Sequence, residues 1–154
     1  MKIATVDDLI DADTFGNEEA PPHFDRDEAL ARIAPLQQEL GRLTGLSFEV
    51  REAQDATFFA ELDAYDPNPK TLHGTSCIET YVGVRFSAFG NLFTIWSTSS
   101  TRPLADEERL KIAAVVSNAG FLYAPLELLK LPYSGVKFSQ QGAQDWWYHF
   151  FEYS

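Results

Sequence analysis

The sequence predicts an α+β fold: two layers, with a mostly antiparallel sheet of about six strands and two main helices packed on one face. Three observations carry this. Residues 47 to 98 contain several segments of period-two alternation, the pattern of strands covered on one side. Two stretches of helical spacing, opening at Asp25 and near Asp106, flank that block. The order of elements is helix, two strands, hairpin, helix, strand, strand, which does not alternate as a doubly wound parallel sheet requires.

Residues 1–12 predict a short helix capped by Thr5, with Asp8 three residues on and Leu9 and Ile10 as anchors. Residues 13–24 contain Gly16, Asn17, Pro21 and Pro22 and read as a loop. Residues 1–24 are therefore expected to form an acidic N-terminal arm, and residues 25–154 a single α+β domain. Asp25 and Glu28 form a capping box that opens the first main helix. Leu30, Ile33, Leu36, Leu40 and Leu43 supply its apolar face, Pro35 should kink or split it, and Gly45 stops it.

Ser47–Glu52 alternates, with Phe48 and Val50 opposite Glu49 and Arg51. Thr57–Tyr65 alternates in turn, with Phe58, Ala60, Leu62 and Ala64 opposite Phe59, Glu61, Asp63 and Tyr65. The proline-rich segment Asp66–Ser76 reads as an irregular connection. Ile78–Ser87 and Leu92–Thr98 form the clearest hairpin. With Gly90-Asn91 as a two-residue turn, Phe86 faces Ile95, Ala88 faces Phe93, Arg85 meets Trp96 and Ser87 meets Thr94. Val82, Val84, Phe86, Ala88, Phe93 and Ile95 then share an apolar face. Tyr81, Arg85, Ser87, Thr94, Trp96 and Thr98 share a polar and aromatic one.

Asp106, Glu107 and Glu108 begin the second main helix, whose buried stripe is expected at Leu110, Ala113, Ala114, Val116 and Ser117. Gly120 ends it. Phe121–Ala124 reads as a short strand closed by Pro125, Leu126–Leu131 as one helical turn, and Pro132–Gln144 as a loop. In the last ten residues, Asp145 to Ser154, six are Trp, Tyr or Phe. Aromatics favour strands, so this end is expected as a central strand covered on both faces.

Charge narrows the function. The 154-residue chain has 23 acidic and 12 basic residues, a formal net charge of -11, and residues 1–30 contribute -7 of it (nine acids, two bases). Such a balance disfavours nucleic acid and anionic membranes and suits a basic protein partner. A single cysteine, Cys77, permits no internal disulfide and suits a reducing, cytoplasmic setting. No apolar run approaches a membrane span, and Met1–Asp8 has no signal-like core.

The chemical motifs are fragmentary. Asp11, Asp13 and Gly16 match the first, third and sixth positions of a calcium loop, but Phe15 and Pro22 occupy ligand positions. His73, Cys77, His149 and His23 lack the tight pairing of zinc ligands. Cys77 with His73 or His149, oriented by Asp145, has no nucleophile signature around it. Glu61 and Asp63, with Glu49 beside them, have the types of a paired-carboxylate site but read as a solvated sheet face. No catalytic residue, metal or cofactor is therefore assigned.

The polar and aromatic face is the binding candidate, through Tyr81, Arg85, Trp96, Trp147, His149 and Tyr153, since Tyr, Trp and Arg dominate interface hot spots. The functional expectation is a small acidic, non-enzymatic protein-binding module, of the immunity or antitoxin kind or resembling a secretion chaperone in general character. It would meet a basic protein partner, with a homodimer as a further expectation. A small-molecule sensor with an aromatic pocket is the alternative, and a small hydrolase ranks below it.

Overall fold

The computed structural model describes residues 1–13, 20–54, 56–66, 70–99, 102–135 and 145–152, apart from the side chains of Lys70 and Leu72. Phe15 and Gly16 of the calcium-like stretch, and Tyr153 of the binding candidates, lie outside these residues.

The fold is α+β. Helix α1 spans Val6–Ala12 and α2 Arg26–Thr44. Strands β1 (Phe48–Glu52), β2 (Phe58–Tyr65), β3 (Lys70–Leu72), β4 (Thr75–Cys77), β5 (Thr80–Ser87) and β6 (Leu92–Trp96) follow. After them come α3 (Asp106–Asn118), β7 (Leu122–Tyr123), α4 (Leu126–Leu129) and α5 (Trp146–Phe151). The main sheet has five strands in the order β1-β2-β5-β6-β7, antiparallel except for the β6–β7 pair. Beyond β7, Ile3 adds one parallel bridge to Tyr123, and the Ala4 N–H donates to the Tyr123 carbonyl at 2.8 Å.

Local chemistry explains most elements. Thr5 and Asp8 form a full capping box on α1. In α2 the Asp25 carboxylate accepts from the Glu28 N–H, and Gly45 closes the helix at φ +73°. Pro35 does not split α2. Ala29 and Ile33 before it and Leu36 and Leu40 after it are all buried. Burial of Ile33, Leu36 and Leu40 contributes about 1.5–3 kcal/mol each, enough to keep both halves in one helix despite the lost hydrogen bond. In α3 the buried residues are Ile112, Ala113 and Val116, while Leu110 is exposed. Leu110 lies roughly 200° around the helix from Ile112, so the two cannot both face the core.

Three strand expectations need correction. The Asp66–Ser76 segment is not irregular throughout: β3 and β4 pair in a separate hairpin, and His73 (φ +51°) and Gly74 (φ +76°) make its turn. Cys77 ends β4, and β5 opens at Thr80. In the main hairpin, Gly90 and Asn91 do form the turn, both at positive φ, with the Leu92 N–H donating to the Phe89 carbonyl. The register nevertheless differs by two residues: Phe86 pairs with Phe93, Val84 with Ile95, Arg85 with Thr94 and Gly83 with Trp96. The Ala88 N–H goes to the Thr57 carbonyl, so Ser87 and Ala88 leave the β5–β6 ladder. A shift of two keeps the paired side chains of β5 and β6 on their expected faces, whereas Tyr81, at a bulge, leaves its own. Finally, β2 bulges between Phe58 and Ala60. The extra residue turns Phe58 toward Arg85 and Phe59 toward Phe86, the reverse of simple alternation.

The largest correction is at the C-terminus. Residues 146–151 form α5, not a strand. The Asp145 carboxylate caps it by accepting from the Tyr148 N–H at 3.0 Å. Trp146 stacks on Phe150, and Trp147 packs on Phe151, both at the four-residue spacing of a helix face.

Candidate functional site

The sheet has two buried faces of opposite chemistry. On one, Phe59, Phe86 and Phe93 form a chain of ring contacts, continued by Phe24 before α2 and Phe121 after α3. On the other, β2, β5 and β6 bring Glu61, Asp63, Arg85, Thr94 and Trp96 together, with Arg51 of β1 at the rim. Glu61 and Asp63 are not on a solvated face: they are 0% and 1% exposed. The solvated reading fails because α5 lies against this side of β5.

Glu61 is the hub. Both Arg51 and Arg85 donate to its carboxylate, and the Trp96 indole N–H donates to Oε2 at 3.1 Å. Arg51 also reaches Asp63 at 3.2 Å. Arg85 is 8% exposed, and its guanidinium lies 4.1 Å from the Phe58 ring centroid, 5.2 Å from that of Trp96 and 5.3 Å from that of Trp147. It also donates to the Phe151 carbonyl at 2.7 Å, a cation at the C-terminal end of α5. Thr57 secures the same end, its N–H donating to the Glu152 carbonyl at 3.1 Å.

Gly83 makes this geometry feasible. It pairs with Asp63 on one side and Trp96 on the other, and the indole lies across it. A β-carbon there would stand 2.4 Å from Trp96 Nε1. Only glycine lets Trp96 reach Glu61.

The two carboxyls are driven apart. Burial pushes Glu61 up, but hydrogen bonding and charge from Arg85, helped by Arg51, outweigh it and hold the carboxyl below its ordinary range. Burial, then the adjacent Glu61 charge, push Asp63 up to about 7. Its Oδ1 is buried with no hydrogen-bond partner. Opposed proton affinities in neighbouring carboxyls are the raw material of acid–base chemistry. Here, however, the Glu61 oxygens are engaged by Arg51, Arg85 and Trp96, and the cluster joins β1, β2, β5, β6 and α5.

Of the residues expected at the binding face, Arg85, Trp96 and Trp147 meet in this cluster. Tyr81 does not. A bulge frees it from pairing, it is buried, and its hydroxyl donates to Glu108 of α3 at 2.7 Å under the Arg102 guanidinium. His149 belongs to a second centre, where Nε2 and the Tyr133 hydroxyl both meet the buried Asp13 carboxylate. That contact joins the end of α1 to α5. Cys77 Sγ faces the Thr75 carbonyl at 3.8 Å, on a hairpin remote in sequence from α1 and α5. Among the described residues no group of three or more His, Cys, Asp or Glu could hold a metal ion.

Sequence reasoning missed Glu61, Asp63, Arg51, Phe58 and Gly83 as parts of one centre. The adjacent Phe58-Phe59 pair was a signal, since simple alternation leaves one of two large rings on the polar face. Gly83, alone among the valines of β5, was another.

A third feature lies at the end of the sheet. The Gly90-Asn91 turn packs under the end of α1, at Ala12, and beside the start of α2, where Arg32 donates to the Asn91 side chain at 2.9 Å. A groove of 260 Å³ there is lined by Phe24, Asp25, Glu28, Ala29 and Ala88, among others. On the other side of Phe24 lies a second groove of 240 Å³, floored by Ala53, Ala56 and Phe59. Among the described residues no helix is long and apolar enough to cross a membrane. Family models, characterised proteins and solved structures were each compared with the chain, and none matches.

Proposed function

We propose that this chain is a small acidic protein-binding module of the cytoplasm that docks a basic protein, in the manner of an immunity protein or antitoxin. The observation that carries this reading is the groove beside Phe24. Pro21, Phe24, Ala29 and Ala88 give it apolar walls, and Asp25 and Glu28 line it beside His23 and Arg32, the latter turned to Asn91 and the Phe121 ring; the exposed Asp11 is on the neighbouring α1. Apolar walls with a charged rim suit a basic segment, whose aliphatic stem is buried while its charged head meets carboxylates. The excess of acids in residues 1–30 favours the same end of the molecule. On this reading Arg85, Trp96 and Trp147 do not meet the partner; they brace α5 from beneath.

The test is to search the products of the neighbouring genes for a basic protein and to titrate it against this chain by calorimetry. We expect a one-to-one complex that weakens with salt. Reversal of two charges at this end of the molecule (Asp11→Lys with Glu28→Lys) should weaken it at least tenfold, about 1.4 kcal/mol, with little change in melting temperature. Unchanged affinity in the reversed variant would remove the groove from the interface.

A further inference from the structure

We infer that the outer edge of β1 pairs antiparallel with the same edge of a second copy of this chain, on a two-fold axis through Val50. This goes beyond the groove reading and does not depend on it.

β1 is the terminal strand of the sheet, with β2 as its one neighbour. Its register and the Ala53 N–H donating to the Phe59 carbonyl at 3.0 Å set the direction of every backbone group. In an antiparallel ladder these alternate, so Glu49 and Arg51 bond inward to β2, while Phe48, Val50 and Glu52 direct N–H and C=O outward. The Phe48 carbonyl agrees, since it already receives the Gln37 side-chain amide at 2.7 Å from outside the sheet; the seam therefore rests on the Val50 pair, and Gln37 must swing aside for Glu52 of the second copy to bond Phe48.

About Val50 the strand is its own complement. Antiparallel pairing there sets Val50 against Val50 of the second copy, and the two exchange a pair of outward hydrogen bonds. Glu49 then falls opposite Arg51 of the copy, and Arg51 opposite Glu49 of the copy. These are the non-hydrogen-bonded positions, where side chains stand closest, and opposite charges directly across a ladder are favourable. Val50 is 41% exposed for an apolar residue. Glu49 is exposed and carries no hydrogen bond or ion pair among the described residues. The Arg51 side chain remains 51% exposed beyond its contacts with Glu61 and Asp63.

Charged side chains on an edge strand usually block pairing. They do so by mismatch, and Glu-Val-Arg about a two-fold axis has none. The strand contains no proline, and its register with β2 is unbroken. Gln37, Ala34 and Leu30 on one face of α2 are uncharged, and Asp27 begins the same stripe.

The test is sedimentation equilibrium of the full chain over a concentration series at physiological ionic strength. The mass should rise from 17.3 kDa towards twice that value. Val50→Pro removes the outward N–H without touching the ladder to β2, and should raise the dimer dissociation constant at least tenfold. Glu49→Arg sets arginine against arginine twice and should do the same. Circular dichroism and melting would establish that both variants fold. If Val50→Pro does not, Glu49→Arg decides, because the residue it replaces is exposed and unpaired. Asp11→Lys with Glu28→Lys should leave self-association unchanged, because Glu28 is on the opposite side of α2 from Leu30 and Gln37, which separates this edge from the groove. A chain that stays monomeric throughout, or a dimer that Glu49→Arg does not weaken, overturns the inference.

Discussion

Arg85 and Phe86 are neighbours on β5, both buried, and they face opposite ways. Phe86 enters a layer of rings between the sheet and the helix side, touching Phe59, Phe93 and Phe121. Arg85 enters a layer of charge between the sheet and α5, bonded to Glu61 and the Phe151 carbonyl. The apolar side needs only volume, because dispersion and exclusion of water are nearly indifferent to direction. The charged side needs specific partners, because a desolvated ion without one is very costly. One face is therefore tolerant and the other exacting, although the two are equally dry.

The largest effects should expose that difference. Phe86→Ala should lower unfolding free energy by about 3–5 kcal/mol through the cavity it leaves. Arg85→Met should cost about as much, roughly 3–5 kcal/mol, by stranding the Glu61 charge. The two should part when a second change is added. Glu61→Leu should recover most of the loss in Arg85→Met and none of the loss in Phe86→Ala, as read by urea unfolding. A rescue that fails would mean the Arg85 deficit arises from its packing on Phe58, Trp96 and Trp147.

A smaller effect should come from Gly83→Ala. The added carbon would push the Trp96 indole off the strand and break its bond to Glu61, at about 1–3 kcal/mol for an overpacked site. Tryptophan emission should shift to the red as the ring gains water. Unchanged emission and stability would show that Trp96 does not depend on that gap.

A pH effect of comparable size should accompany it. Asp63 titrates at 3.8 when unfolded and at about 7 when folded, so the folded chain holds its proton more tightly. Its contribution is fully favourable below about 3.8 and is lost as pH rises through about 7. Glu61 has the opposite sign: its carboxyl is lowered, so its contribution is present above 4.5 and lost as pH falls. Raising pH from about 5 to about 8 should therefore lower the melting temperature of the native chain, and Asp63→Asn should flatten that slope. An equal slope in both proteins would assign the pH dependence to other groups.

Much of the fold was legible because it rests on local chemistry. Thr5, Asp25 and Gly45 mark helix ends through bonds within a few residues. The sorting of the paired residues of β5 and β6 survived an error of two in register, because parity decides which face a side chain takes until a bulge, as at Tyr81, resets it. The C-terminal helix was misread by weighting the strand preference of aromatic residues over two local signals: Asp145 at a capping position, and rings repeating four apart. Aromatic preference is a statement about packing surfaces, and a helix buried beside a sheet provides such a surface equally well.

The candidate cluster was less legible. Its residue types were visible, with Arg85 and Trp96 assigned to one face and Glu61 and Asp63 to a polar one. Their burial was not. Whether a carboxylate on a strand meets water or a guanidinium depends on what lies above it, and here that is α5, about eighty residues further along the chain. The bulge that brings Phe58 under Arg85 likewise depends on pairing with β5, a contact no local pattern contains.

The last ten residues mark the division. By itself the sequence determined that this segment must be ordered and largely buried, because so many rings cannot remain in water. It also determined the faces of the hairpin and the ends of the main helices, all set by backbone geometry within a few residues. Only the tertiary structure decided that the segment is a helix, and that its end is held by Arg85 and Thr57. It also decided that Glu61 and Asp63 share one dry layer with two arginines. The physical reason is range: capping and side-chain parity act over one turn or one pleat, whereas the burial of a charge is settled by chains that meet only after folding.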